Sequence, residues 1–295
     1  MPESAGRIPV PRGMPSISLR RRITDRLMTG VAVLTVLLVL TPLIAIFGYL
    51  IYRGVVSINW AFLTQTPKPV GEPGGGMANS IVGSVYILGI ASIIGVPFGI
   101  GAGIYLAEFG RNRFGSVVRF TADVLNGVPS IVTGIVGYSI VVLYQRHFSA
   151  LAGGVALAIM MVPTITRTTE EMLLLVPQAM REAAYGLGVP RWRTTLSITL
   201  RTATAGIITG VMLAFARVAG ETAPLLFTAF GNQFWSLRYD QPMAALPLQI
   251  YVYANSPYDD WHRQAWAGAF VLIVLIVTAV AAVRYVVRRG TFGAA

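Results

Sequence analysis

Five stretches of the chain, residues 27–52, 73–107, 124–145, 147–166 and 264–283, each run for twenty residues or more without an Asp, Glu, Lys or Arg. A helix needs roughly 20 apolar residues to cross the hydrocarbon core of a bilayer. A sixth stretch, Thr202 to Leu237, is interrupted only by Arg217 and Glu221. In lipid the backbone has no water to bond, so each run is expected to be helical. The chain therefore reads as an all-α membrane protein with six transmembrane helices. Its 55% hydrophobic and 12% charged residues and a mean hydropathy of +0.66 lie far from soluble averages.

The net charge of +11 is unevenly placed. Of the 23 basic residues, seventeen fall in four segments, 7–26, 111–119, 167–201 and 284–289, all on one side of the expected membrane. The opposite loops hold Arg53, Lys68, Arg146, Arg238 and Arg263. Positive residues mark the cytoplasmic side, so both termini are expected there, and the charge excess reflects topology, not a nucleic-acid surface. The first run, 26 uncharged residues long, exceeds the apolar region of a signal peptide and is expected to remain as a spanning helix. Residues before it are rich in Pro, Gly and Ser without periodicity, which predicts a flexible tail.

Gly95, Gly99 and Gly103 in the second run, and Gly206 and Gly210 in the fifth, recur at helical spacing. Small residues four apart share one helix face and let helices approach closely in lipid. The run Gly99-Ile100-Gly101-Ala102-Gly103 lacks the complete dinucleotide spacing and lies in an apolar span. The outer segment 231–266 carries Trp235, Tyr239, Tyr251, Tyr253, Tyr258, Trp261 and Trp266, expected as an interfacial belt or as a surface for an extracytoplasmic partner.

Several chemistries are absent. The chain has no cysteine, and its only lysine, Lys68, follows no glycine loop, so it carries no phosphate-cradling ATPase motif. His147 and His262 sit in separate outer loops without a ligand cluster, and no GxSxG nucleophile elbow occurs. No enzyme site and no metal site is expected, and no cofactor in this chain.

The cytoplasmic segment Met180 to Leu200, MREAAYGLGVPRWRTTLSITL, predicts a short helix over Ala179 to Tyr185, a break at Gly186 and Gly188, and a second helix opened by Pro190. Glu182-Ala183-Ala184, then Gly188, Ile198 and Leu200 at their intervals resemble the EAA loop of ABC importer permeases. That pattern usually ends in proline where this chain has Arg201, which leaves the exit angle into the fifth span open. The strings NGVPSIVTGI (126–135), RTTEEM (167–172) and ARVAGETAPLLFTA (216–229) further resemble the phosphate importer permeases of the PstA type, over about Gly74 to Arg289.

The resemblance implies a type-1 ABC importer permease fold in a bacterial or archaeal cytoplasmic membrane. It implies inward phosphate transport by alternating access, without ATP hydrolysis by this chain. It further implies a homologous permease subunit (PstC type), an ATP-binding subunit dimer (PstB type) that carries ATP-Mg, and an extracytoplasmic phosphate-binding protein (PstS type). Glu182, Ala183, Ala184 and Gly188 would dock on the ATPase. The expected layout is a tail at 1–26, the first transmembrane helix at 27–52 and an extracytoplasmic loop at 53–76. A permease core at 77–289 follows, with five transmembrane helices and the coupling loop at about 177–201, then a tail at 290–295. Alternatives are a permease for another oxyanion, such as molybdate or sulfate, and a secondary anion transporter.

Charges inside a span cost about 2.5 to 3.5 kcal/mol each on insertion scales and usually face the bundle interior or a water-filled cavity. Arg217 and Glu221 are four residues apart, so a continuous helix would put them on one face. Arginine-first pairing contributes at most ~0.5 kcal/mol, too little to justify two buried charges as a structural pair. Arg167 and Glu170 repeat the theme three residues apart at the inner end of the fourth span. Guanidinium forks suit phosphate oxygens, and adjacent carboxylates keep the site from trapping the anion. Arg167, Glu170, Arg217 and Glu221 are thus the candidate translocation residues, as the resemblance also implies.

The topology is testable because the native chain lacks cysteine. Single cysteines at Thr66 and Ser256 are expected to react with an impermeant thiol reagent in intact cells, and one at Ser4 is not. Labelling at position 4, or none at 66 and 256, overturns the assignment.

Overall fold

The computed structural model of the chain describes residues 19–70, 72 and 74–292, with the side chains of all of these except 288 and 290–292. The expected tails lie largely outside the described residues. Residues 19–26 of the N-terminal one, however, are helical.

The uncharged runs are helical, as the backbone's need for internal hydrogen bonds requires. Helix α1 spans Leu19–Ser57 and the short α2 Trp60–Thr64, the latter capped by Asn59 Oδ1, which accepts from the Phe62 N–H at 2.7 Å. Helix α3 spans Ala78–Phe109 and α4 Arg113–Gly127, capped by Asn112 on the Gly115 N–H at 2.7 Å. Helix α5 spans Ser130–Gln145, and α6, Ala150–Leu174, is capped by Ser149. Helix α7 spans Gln178–Gly186, α8 Arg191–Ala219, α9 Ala223–Leu226, α10 Leu246–Ala254 and α11 Asp259–Phe292.

Helices α1, α3, α6, α8 and α11 are each long and apolar enough to cross a bilayer, and α4 with α5, bent by 109° at a short break, makes a sixth only if the pair is counted as one span. The contact pattern divides the chain at Tyr49. Residues 19–49 of α1 keep every side chain exposed, as suits a helix that meets lipid.

From Leu50 onward the structure is organised around α6, the most enclosed of the spans. Helix α3 lies against one side of it, running in the same direction. A Cβ at Gly99 would come within 2.6 Å of Ile165 Cβ, and one at Gly103 within 2.5 Å of Thr169 Cβ. Helix α8 lies on another side, antiparallel, with Gly206 over Met172 and Gly210 over Thr168. The glycine spacing read from the sequence is thus the contact face of both neighbours.

Two expected spans differ in form. The run 124–145 is not one helix: α4 ends at Gly127, Val128 is extended (ψ 132°), and α5 leaves at 109° to α4. Pro129 causes the break, since proline disfavours helical backbone in the residue before it. Charge counting sees only the distance from Asp123 and is blind to the proline. In the interrupted run, α8 stops at Ala219, and the chain after it turns back into the bundle. Thr228, Ala229 and Met243 to Leu246 are buried there, with the Leu246 N–H on Ser84 Oγ (2.7 Å) and the Ala150 N–H on the Gln241 carbonyl (3.0 Å). The outer aromatics divide accordingly. Tyr253 is buried and stacks on Trp261 at 4.3 Å, while Trp235, Tyr239 and Tyr251 are exposed.

The close approach of α3 to α6 gives a controlled comparison. Gly99→Ala places its Cβ against Ile165, whereas Gly101→Ala meets nothing within 4 Å. In thermal unfolding of the purified protein in detergent, Gly99→Ala is expected to destabilise by about 1–3 kcal/mol. Gly101→Ala is expected to be neutral or stabilising by up to about 1 kcal/mol. Equal melting points for both variants would contradict this packing.

Candidate functional site

Helix α4 places Arg119, Asp123 and Asn126 along one face, and α6 places Thr164, Arg167 and Glu170 along another, by the i, i+3 and i+4 spacing of a helix surface. The two helices run antiparallel, and these faces meet in a polar seam. Arg119 Nε donates to Glu170 Oε1 at 2.5 Å, Arg167 Nε lies 3.0 Å from Asp123 Oδ1, and Thr164 Oγ1 donates to Asn126 Oδ1 at 2.9 Å. Arg167 Nη1 also donates to Glu170 Oε2 at 2.8 Å.

Glu170 is only 2% exposed, and each of its oxygens accepts from a different guanidinium. A carboxylate this deeply buried is tolerable only when paired and hydrogen-bonded. The two arginines and two acids sum to zero formal charge. Arg167 keeps part of its side chain open, at 30% exposure. The remaining donors of Arg119 are taken up by the backbone: Nη1 by the Gly110 carbonyl (2.8 Å) and Nη2 by the Leu106 carbonyl (3.0 Å).

Arg217 and Glu221 behave differently. The helix ends between them, at Ala219, with Gly220 beyond its last turn, so the shared face implied by their four-residue spacing does not form. Among the described residues neither side chain makes an ion pair or a hydrogen bond. Arg217 is exposed and Glu221 half-buried. The antiparallel register, Gly206 on Met172 and Gly210 on Thr168, sets Arg217 level with Met161. That is six residues from Arg167 along α6, or roughly 9 Å at the helical rise. Arg167 and Arg217 thus occupy two levels, the first neutralised with Glu170 and the second making no ion pair or hydrogen bond among the described residues.

Arg119 and Asp123 belong to the inner cluster and were not among the candidates, Arg119 having counted only toward topology. Their opposite charges four residues apart, just before a predicted span, were the available signal. Only the bend at Pro129 makes that signal meaningful, because it lays α4 against α6.

The coupling segment folds as its glycines predict. The Val189 N–H bonds to the Ala184 carbonyl (3.1 Å) and the Gly188 N–H to that of Tyr185 (2.9 Å), the paired bonds of a Schellman end. Gly188 holds φ +77°, and a Cβ there would touch nothing, so backbone conformation alone demands glycine. Ala184 is buried, while Glu182 and Ala183 are exposed beside Leu187 and Trp192. The helix continues through Arg201, after a π-helical segment at Thr195–Thr199.

The seam makes a stability prediction. Glu170→Gln removes the charge and replaces one of the two acceptor oxygens with an NH2 facing a guanidinium, and is expected to lower stability by on the order of 3 kcal/mol. Asp123→Asn, at a carboxylate 56% exposed, is expected to cost less than about 1 kcal/mol. Thermal unfolding of the two variants in detergent tests the order, and a larger loss for Asp123→Asn would refute it.

Residues 95–291 match the family of binding-protein-dependent transport system inner membrane components. The phosphate transport system permease protein PstA of Yersinia pestis is 46% identical over 258 residues, 87% of this chain and 88% of that protein. PstA of Haemophilus influenzae is 45% identical over 259 residues, 87% and 91% of the two chains. PstA 1 of Mycobacterium tuberculosis is 35% identical over 282 residues, 92% of each. In fold, the chain resembles the MetNI methionine ABC transporter in an inward-facing conformation, with a TM-score of 0.56 at 17% identity, over 72% of this chain and 94% of that one. With its helical spans and these relatives, the chain belongs to the binding-protein-dependent transport system inner membrane component family, as a multi-pass permease subunit of the PstA type.

Proposed function

We propose that the chain is one wall of the transmembrane path of an ATP-driven importer of inorganic phosphate, both termini cytoplasmic, which it moves inward by alternating access. The observation that carries this reading is Arg217. It sits at membrane depth on α8, exposed, with no counter-charge among the described residues. A charge so placed costs about 2.5 to 3.5 kcal/mol unless water, a partner or an anion receives it. A guanidinium fork pointing away from the bundle is suited to a tetrahedral oxyanion. The relatives' name specifies phosphate.

In this reading a homologous permease of the PstC type faces Arg217 and closes the path. A PstS-type binding protein delivers phosphate from outside. A PstB-type ATPase dimer, holding ATP-Mg, docks against Glu182, Ala183, Ala184, Gly188 and the exposed Leu187 and Trp192. ATP is hydrolysed there and not in this chain. Arg217 and Glu221 act at the outer level. Arg167, already balanced by Glu170 and Asp123, offers the anion a weaker stop farther in. A graded pair of sites favours conduction, which requires that the anion leave as well as enter.

The test is ATP-driven phosphate uptake by vesicles that hold the assembled complex, normalised to complex amount. Arg217→Gln is expected to assemble normally, since it breaks no internal contact, and to lose about tenfold in flux, equivalent to ~1.4 kcal/mol. Arg217→Lys keeps the charge without the fork and should fall between. Because the two residues are not paired, Glu221→Gln added to Arg217→Gln should not restore flux. Near-normal flux in the double variant would remove the anion-path assignment. Uptake of sulfate or molybdate in preference to phosphate would replace the substrate.

A further inference from the structure

The coupling loop and the inner arginine meet at one turn of backbone, the C-terminal turn of α3. Glu108 in that turn accepts from Arg181 Nη1 of α7 at 2.5 Å, with both side chains nearly enclosed at 10% and 12% exposure. Arg181 Nη2 also donates to the Leu173 carbonyl, 2.7 Å away at the end of α6. From the other side, Arg119 grips the carbonyls of Leu106 and Gly110 and, through Nε, Glu170. A Cβ at Gly115 would lie 2.2 Å from the Gly110 oxygen, so the turn from α3 into α4 is closely packed. Charge-assisted hydrogen bonds therefore reach the end turn of α3 from both sides, from α7 through Glu108 and from the cluster that holds Arg167 through Arg119, and the backbone of residues 106–110 joins them.

Glu170 needs a partner on each oxygen to be buried, and the guanidinium that supplies the one on Oε1 also sets the charge felt at Arg167. With Arg119 engaged, two guanidiniums balance Glu170 and Asp123 and the site is neutral. With Arg119 withdrawn, Arg167 alone faces two carboxylates and the site carries one net negative charge. That net negative charge, at a site where Glu170 is buried and Arg167 partly open, disfavours an anion beside Arg167.

We propose that Glu108 and Arg119 are positioning residues that relay the coupling loop's movement to Arg167, switching the inner site between neutral and negative as the α3 end turn shifts. The inference rests on the transport reading above and adds to it the device that couples ATPase docking to anion release. Arg181 carries displacement of α7 to Glu108, and Arg119 converts displacement of the same turn into a change of charge at Arg167. The α3–α4 turn is the element whose two arrangements both ends would bias, as a coupling route requires.

The experiment measures phosphate transported per ATP hydrolysed in vesicles with the assembled complex. Glu108→Gln is expected to retain ATPase activity per complex while the ratio falls about tenfold, within the ordinary range of coupling. The charge exchange Glu108→Arg with Arg181→Glu is expected to recover most of the ratio. Arg119→Lys keeps the charge but reaches fewer of the three acceptors, so it should assemble and also show a lowered ratio. A merely structural role would reduce the yield of complex and leave the ratio unchanged. An unchanged ratio in Glu108→Gln or Arg119→Lys overturns the relay while leaving phosphate transport intact. Wild-type vesicles that accumulate no phosphate overturn the transport reading, and the relay falls with it.

Discussion

Enclosing one helix within a bilayer depends on neighbours that can come close without side chains in the way. Lipid tails are as apolar as leucine, so α6 is not driven into the bundle by burial of its apolar surface. It is held by dispersion contacts and hydrogen bonds that fade within an ångström or two. Gly99 and Gly103 on α3, and Gly206 and Gly210 on α8, provide that approach from two sides. Their contacts also fix register. Once Gly210 rests on Thr168, the heights of Arg167 and Arg217 follow, because the helical rise is constant. The two-level arrangement of the charges is a consequence of glycine packing.

Charge pairing then determines what each level can do. A buried carboxylate that loses a partner is costly, which explains why Glu170 is enclosed only with a guanidinium on each oxygen. The same arrangement holds Arg167 near neutrality while leaving it partly open. Arg217 lacks any such balance among the described residues, and the difference between the arginines is one of partners, not of residue type. A chain that is one wall of a path is expected to leave some of its electrostatics incomplete, since the opposite wall completes them.

The polar seam also ties α6 to the turn that ends α3. Arg119 spends two donors on the carbonyls that end α3 and one on Glu170. Arg181 spends its donors on Glu108 and the end of α6. Each arginine thus supplies acceptors at a helix C-terminus with charged donors, the end where a cation is favoured. Two ordinary capping interactions placed back to back on one turn produce the longer connection.

The residue pattern alone determined the fold class, five of the six expected spans and the faces on which helices touch. Charge-free length and glycine spacing express local requirements of lipid and close packing that hold whatever the partners are. The coupling turn was equally legible, since Gly188 and Pro190 act on their own backbone. The site was read only in part. Arg167, Glu170, Arg217 and Glu221 stood out because charge is costly in a span, yet their pairing did not follow from spacing. The helix stops at Ala219, which separates Arg217 from Glu221, and Pro129 folds α4 back so that Arg119 reaches Glu170, 51 residues away. Those pairings belong to tertiary structure because an ion pair across helices depends on where two chains of residues are brought together. No local propensity records that distance.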